Sequence, residues 1–215
     1  MSALIQVFAE YPDAGKLKKR MIPVVGEQGA AELNSALTED MLWRLHGSVD
    51  LEIWGTHSAA KPYYRSYIDK YHCGFRLQCD GNPGVRMEHA YASAFLRSRV
   101  PVLVNSAFPS IDVDLIDAMT DELDNGADAV MVPATDGSYA ALGLAVKNYQ
   151  LFRGVRWGSG DLVDQTLAVM FKTGIECAIF EPVQSVEREK DIRRIEPVLD
   201  AENDAELCGW IDNYF

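Results

Sequence analysis

Three observations predict an α/β fold, a single layered domain built on a mostly parallel sheet. Short apolar runs alternate about five times with longer segments of helical period. The first run, Leu4-Ile5-Gln6-Val7-Phe8-Ala9, has the length of one buried strand and stops at turn chemistry, Pro12-Asp13-Ala14-Gly15. Four cationic side chains follow at once: Lys16, Lys18, Lys19 and Arg20. In an open α/β sheet, ligands bind outside the carboxyl ends of the strands. A strand-end loop with backbone amides and several cations suits a phosphate. A solvated basic loop capping a buried strand accounts for the same residues, and the loop is neither a Walker loop nor a dinucleotide fingerprint.

The chain has 215 residues, enough to bury a core without staples, and reads as a single domain over 1–215. Its 20 basic and 32 acidic residues give a net charge of −12, which argues against non-specific binding to nucleic acid or anionic membrane. Any anion site must therefore rest on local cations. Met1-Ser2-Ala3 runs straight into a strand, so no signal peptide is expected, and no apolar run has the length of a membrane span. Cys73, Cys79, Cys177 and Cys208 show no paired spacing; buried reduced thiols in a cytoplasmic protein are expected rather than zinc ligands or disulfides. His46, His57, His72 and His89 show no metal spacing either, and only His57 falls on an expected strand-end loop.

After the basic loop, a helix is predicted from about Glu27 to Leu45, with Ala30, Leu33, Leu37, Met41 and Leu45 near helical period. Residues Val49 to Trp54 alternate as a strand. A short helix carrying Tyr64, Tyr67, Ile68 and Tyr71 follows Pro62, and Phe75 to Gln78 form a third strand. The turn Gly81-Asn82-Pro83-Gly84 opens a helix from about Val85 to Arg97. Val100 to Asn105 is a buried strand, and a helix from about Asp112 to Leu123 follows, with acidic residues suited to its N-terminal dipole. Ala129 to Val132 is the next strand. A glycine turn then leads into another apolar run, Ala140 to Val146, which departs from strict parallel order. A helix over Asp161 to Thr173 and a strand over Cys177 to Phe180 come next. The charged tail from Glu187 is broken at Pro197, and an acidic helix over Ala201 to Ile211 closes the chain. Leu207, Trp210, Ile211 and Phe215 must dock somewhere, on this domain or on a second subunit.

Four segments together resemble the radical-SAM/selenodomain-associated transferases of the nucleotide-diphospho-sugar transferase superfamily, which are GT-A-like. They are Phe8 to Arg20 with its Pro, Gly, Lys and Arg; Gly81-Asn82-Pro83-Gly84-Val85-Arg86-Met87; Pro133-Ala134-Thr135-Asp136-Gly137-Ser138-Tyr139 with Gly143-Leu144; and Phe152 with Trp157-Gly158-Ser159. Their order and spacing span about residues 4 to 192. The resemblance implies a three-layer αβα sandwich with a mixed, mostly parallel sheet and a nucleotide at the ends of the first strands. It also implies transfer of a sugar or nucleotidyl group, usually with Mg²⁺ or Mn²⁺, since a departing diphosphate needs its charge neutralised.

Two departures bear on that metal. Where the family has a ligand Asp after the fourth strand, this chain has Ala107, which offers no side-chain acceptor to a hard cation. Where the family has two Asp one residue apart and then a third, this chain has Ser185-Val186-Glu187 and then Asp191. No metal ligand is therefore assigned, and dependence on Mg²⁺ or Mn²⁺ is in doubt.

Lys16 and Arg20 are the candidates for diphosphate contacts, beside Gly15; Lys18 and Lys19 are read as surface charges. Gly84 and Arg86 open a helix whose amides favour anions, while a salt bridge would equally explain Arg86. Asp136 is the candidate catalytic base or acceptor-binding group, with an Asx-turn as the plain alternative. Tyr139 and Trp157 are candidate walls of the ligand pocket, with core packing as theirs. The expectation is a nucleotide-sugar-dependent glycosyltransferase of reduced metal dependence, cytoplasmic, with a nucleotide or nucleotide sugar as partner and room for a homo-oligomer. A catalytically degenerate nucleotide-binding protein and a nucleotidyltransferase are the alternatives. An NAD-dependent oxidoreductase is disfavoured because no GxGxxG follows the first strand.

Overall fold

The computed structural model describes residues 3–47, 50–56, 60–97 and 99–215. Among them seven strands form one sheet: β1 (Ala3–Ala9), β2 (Leu51–Gly55), β3 (Gly74–Leu77), β4 (Val100–Asn105), β5 (Ala129–Pro133), β6 (Tyr139–Leu144) and β7 (Cys177–Ile179). Their order is β3-β2-β1-β4-β6-β5-β7. β6 runs antiparallel to both its neighbours, and the remaining pairings are parallel. The doubling back at β5–β6 follows from the sequence: no crossover helix separates the two apolar runs, so the chain can only return antiparallel.

The helices are α1 (Ile22–Leu45), α2 (Ala60–Tyr63), α3 (Arg65–Tyr71), α4 (Pro83–Leu96), α5 (Val113–Asp124), α6 (Leu162–Thr173), α7 (Glu189–Ile195) and α8 (Ala205–Tyr214). Successive strand residues point to opposite faces of a sheet. Val7, Val102, Val104 and Val132 share one core with Met41, Leu42 and Leu45 of α1 and with Ile116, Met119 and Leu123 of α5. Trp54, Leu103, Met131 and Leu142 share the other with Met87, Ala90 and Tyr91 of α4 and Met170 of α6. The result is the three-layer αβα sandwich.

A further apolar cluster lies on α1. Leu33 and Leu37 pack with Ile192 and Ile195 of α7 and with Leu207, Trp210 and Ile211 of α8. The Trp210 indole donates to the Gly29 carbonyl at 2.9 Å. The apolar face of the C-terminal helix is thus covered by its own domain.

Element boundaries shift slightly from the sequence expectation. α1 starts at Ile22 instead of Glu27, and Gly26 interrupts it with φ 74° and ψ 172°. The tyrosine-rich segment is two short helices, with Pro62 inside α2. α7 lies in a stretch expected only as a charged tail; its short apolar signal is Ile192 and Ile195, both buried. Val49 and His57 lie outside the described residues. No helix among the described residues is long and apolar enough to cross a membrane.

Candidate functional site

The strand order reverses at β1. β2 and β3 follow on one side and β4 returns on the other, which opens a crevice at the carboxyl ends of β1 and β4. A cavity of about 360 Å³ occupies it. β1 and its exit contribute Phe8 and Glu10, and β4 with its following turn contributes Leu103, Asn105, Ser106 and Ala107. α4 contributes Arg86 and Met87, the start of β6 contributes Ser138, Tyr139 and Ala140, and Trp157 closes a further side. A cavity of this size with apolar walls and a few convergent polar groups has the form of a small-molecule site. A larger cavity of about 570 Å³, lined by Arg44, Asp112, Asp114, Asp200 and Asp204, lies away from these strand ends.

The exit of β1 is held rigidly. The Glu10 carbonyl accepts from Asn34 Nδ2 at 3.0 Å and from the Tyr64 hydroxyl at 2.9 Å. Burial pushes the Tyr64 phenol far up, so that hydroxyl stays a donor. At the exit of β4, Asn105 Oδ1 accepts the Ala107 amide at 2.9 Å, and the buried Ser106 hydroxyl accepts from Thr38 at 3.1 Å. Both loops are anchored by hydrogen bonds, most of them from distant parts of the chain, before any ligand arrives.

The cation that reaches the cavity from the basic loop is Lys18. Its side chain is 6% exposed, and its Nζ donates to Glu187 Oε1 at 2.5 Å and to the Val186 carbonyl at 2.8 Å. The Lys18 backbone is held at φ 44°, a region that non-glycine residues seldom enter. The expectation that Lys18 is a surface charge is therefore corrected. Lys16 is exposed and pairs with Asp13 at 2.5 Å; Arg20 is exposed as well. Neither they nor Gly15, whose φ is +79°, lines the cavity. Alternation of charge along the loop does not reveal which cation turns inward, because that depends on the distant Val186 and Glu187.

Arg86 does line the cavity. Its Nε donates to the Gly81 carbonyl at 3.0 Å instead of to a carboxylate. Asn82 caps α4, its Oδ1 accepting the Val85 amide at 3.1 Å. Gly84 owes its identity to close packing: a Cβ there would lie 2.6 Å from the Phe152 carbonyl oxygen and 2.7 Å from the Trp157 indole nitrogen. Tyr139 meets Trp157 edge-on at 6.4 Å between ring centres, and its hydroxyl donates to Met87 Sδ at 3.6 Å. Burial holds the Tyr139 phenol neutral.

Asp136 is exposed and lies outside the cavity lining. Its Oδ1 accepts from the Ser138 amide at 3.0 Å and the Ser138 hydroxyl at 2.6 Å, which is the Asx-turn geometry. The carboxylates that do line the cavity are Glu10 and Glu187. The sequence did not single out Glu10, Asn34, Thr56, Gln78 or Asn105, all of which line it. Their signal was positional, since each lies on or beside an element that meets this edge of the sheet.

A divalent ion fits these residues poorly. Ala107 brings no side-chain oxygen, and its carbonyl accepts the Val186 amide at 3.0 Å. Ser185 is buried, Glu187 is engaged by the Lys18 ammonium, and Asp191 accepts the backbone amides of Glu187 and Arg188 at 3.1 and 2.9 Å. Among the described residues, no three His, Cys, Asp or Glu side chains gather as a metal-ligand set.

The sheet order, its antiparallel β6 and the cavity at the β1/β4 reversal place the chain in the nucleotide-diphospho-sugar transferase fold class. It is similar to the crystal structure of a candidate nucleotide-diphospho-sugar transferase from Desulfovibrio desulfuricans G20. The two share 27% identity over 100% of this chain and 99% of the other, with a TM-score of 0.85. A cytidylyltransferase from Leptospira borgpetersenii serovar Hardjo-bovis shares 12% identity over 99% of this chain and 95% of its own, TM-score 0.59. CMP:2-keto-3-deoxy-manno-octonic acid synthetase, solved with CTP, shares 10% identity over 92% of this chain and 98% of its own, TM-score 0.55. These last two show likeness of fold alone. Comparison with curated proteins finds no match. The chain belongs to the family described as uncharacterized protein conserved in bacteria (DUF2064), which it matches over residues 42–159. Lys18 and Glu187 lie outside that match.

Proposed function

We propose that this protein is a nucleotide-sugar-dependent transferase that binds its donor in the cavity between β1 and β4. The observation that carries this reading is the convergence of Lys18 and Arg86 on one crevice at the topological reversal of the sheet. A diphosphate is the ligand group that two such cations recognise, one as a point charge and the other as a planar fork. Phe8, Leu103, Tyr139 and Trp157 supply apolar and aromatic surface beside it, suited to a base or a sugar face. The similarity to the candidate nucleotide-diphospho-sugar transferase supports the donor class. Glycosyl transfer is preferred to nucleotidyl transfer because the first loop lacks a run of glycines for a triphosphate.

The test is calorimetric titration with UDP-, GDP-, CDP- and ADP-sugars, each with and without Mn²⁺, followed by an assay for sugar release with whichever donor binds. Saturable binding of one donor, with turnover, supports the transferase. Binding without turnover in the presence of candidate acceptors favours a protein that has kept the site and lost the chemistry. If no donor binds to the folded protein, the reading fails.

A further inference from the structure

Lys18 carries a nearly buried ammonium at the edge of the candidate site. Its side chain is 6% exposed, it lies on the wall of the candidate site, and its partners there are a carbonyl and a carboxylate from residues 186 and 187. Burying an ammonium costs several kcal/mol unless its donors are matched. An ammonium has three N–H donors, and these two bonds use two of them. Among the described residues the Lys18 ammonium makes no further bond, so the third donor is open to a ligand in the cavity. The same corner is the one in which the residues fit a divalent ion poorly, since Ala107 presents a methyl group and Asp191 is committed to the amides that open α7. Lys18 and Arg86 together bring the two positive charges that one divalent ion would bring.

We propose that Lys18 is the built-in counter-ion for the ligand's phosphates, so that a nucleoside diphosphate group binds here as the bare anion without a divalent cation. Glu187 holds the ammonium in position while the cavity is empty of phosphate and yields part of that contact to the incoming anion. Glu187 is then a competitor of the ligand, the reverse of the behaviour of a metal ligand. This inference rests on the nucleotide reading above and adds the way in which charge is balanced.

The experiment is titration of the full chain with UDP, GDP, CDP and ADP, in EDTA and again in Mg²⁺, for the wild type, Lys18→Met and Glu187→Gln. The expected result is wild-type binding in EDTA that Mg²⁺ does not tighten. Lys18→Met should weaken that binding by about 10- to 100-fold, the value of a charge-assisted hydrogen bond. Glu187→Gln should tighten it by a few-fold, because the ammonium is released from its internal partner. Binding of the wild type only with Mg²⁺, or weakened binding in Glu187→Gln, identifies Glu187 as a cation ligand and overturns the proposal while leaving the nucleotide reading intact. Equal affinity of Lys18→Met and wild type in EDTA overturns it also. If Lys18→Met does not fold, the direction of the Glu187→Gln change decides alone: tighter supports the proposal, and unchanged or weaker overturns it. Failure of the wild type to bind any of the four in either buffer overturns the nucleotide reading and this inference with it.

Discussion

The Asp40 carboxylate caps a helix whose bonded amides lie 166 and 167 positions away in sequence. Its Oδ2 accepts the Leu207 amide at 2.9 Å and its Oδ1 accepts the Glu206 amide at 3.0 Å, at the start of α8. The residue just before α8, Asp204, makes no side-chain cap of its own; it pairs instead with Arg44 at 2.5 Å. A helix end left without partners is costly. α1 therefore supplies both the apolar seat of α8 and the acceptor for its free amides.

This arrangement sets a pH dependence. Burial is the largest influence on Asp40 and raises its carboxyl to about 6, against the Leu207 and Glu206 amides and the Arg44 charge; the Asp204 charge adds to the rise. In the unfolded chain an Asp titrates near ~3.9. Between about pH 4 and pH 6 the folded state binds more of a proton at this group than the unfolded state does. Its contribution to stability is therefore largest at the acid end of that window, falls as pH rises through it, and levels off above. Urea unfolding of wild type and Asp40→Asn across this range checks it. The wild type should show the downward contribution with rising pH and the variant should lose it; identical pH profiles refute the assignment.

Glu52 acts in the opposite sense. Its carboxylate takes both Arg97 terminal nitrogens, Arg76 Nε at 3.1 Å and the Trp54 indole at 3.2 Å. Burial alone would raise Glu52; the hydrogen bonds and charges of Arg97 and Arg76 outweigh it and hold the carboxyl below its ordinary value. The stability it contributes is present above the unfolded value of ~4.3 and is lost as pH falls through the lower folded value. Glu52→Gln should cost about 3 kcal/mol at pH 7, because two guanidinium groups lose their counter-charge. It should also flatten the acid limb of the stability curve. Thermal and urea unfolding at pH 7 and pH 3 would show both effects, and a neutral substitution would contradict the network.

Gly137 is where the turn after β5 touches the loop before α6. A Cβ there would lie 1.8 Å from the Gly160 carbonyl oxygen, and φ is +83°. Its own carbonyl accepts the Val163 amide at 3.0 Å. Backbone on both sides cannot swing aside as a side chain can. Gly137→Ala should therefore destabilise by roughly 2 kcal/mol or more, from the disfavoured φ and the collision together. Equilibrium unfolding gives the number directly, and a change within about 0.5 kcal/mol, the range of an ordinary surface substitution, would show that the two loops do not meet so closely.

Gly84→Ala should displace Trp157 and destabilise the chain as well, since one of the two groups it meets is backbone. The added methyl meets the indole nitrogen of a half-buried side chain, which can turn, and the backbone carbonyl of buried Phe152, which must shift as well. The expected outcome is an altered near-ultraviolet aromatic signal, removed in a Trp157→Phe background, with weaker donor binding. An unchanged signal and unchanged affinity would count against Trp157 as a wall of the site.

Much of the architecture was legible because it rests on local periodicity. The buried runs of β1, β4 and β5, the stripe of α1 and the turns at Gly81 and Gly137 each announce themselves within about ten residues. Even the antiparallel strand was legible, as two apolar runs joined without a helix. α7 was not, because seven residues with two apolar positions look like any charged tail until Leu33 and Leu37 lie against them.

The site divides in the same way. Sequence alone placed a basic, glycine-bearing loop after the first strand and set Arg86 and Trp157 beside glycine turns; that Ala107 replaces a family carboxylate was implied by the resemblance. Only the tertiary structure decided that Lys18, not Lys16 or Arg20, faces the cavity, and that Asp136 spends its carboxylate on Ser138. The physical reason is that a side chain's direction in a loop is set by partners that satisfy it. The partners of Lys18 are 168 and 169 residues away, brought near by the fold and invisible in the spacing of the loop itself.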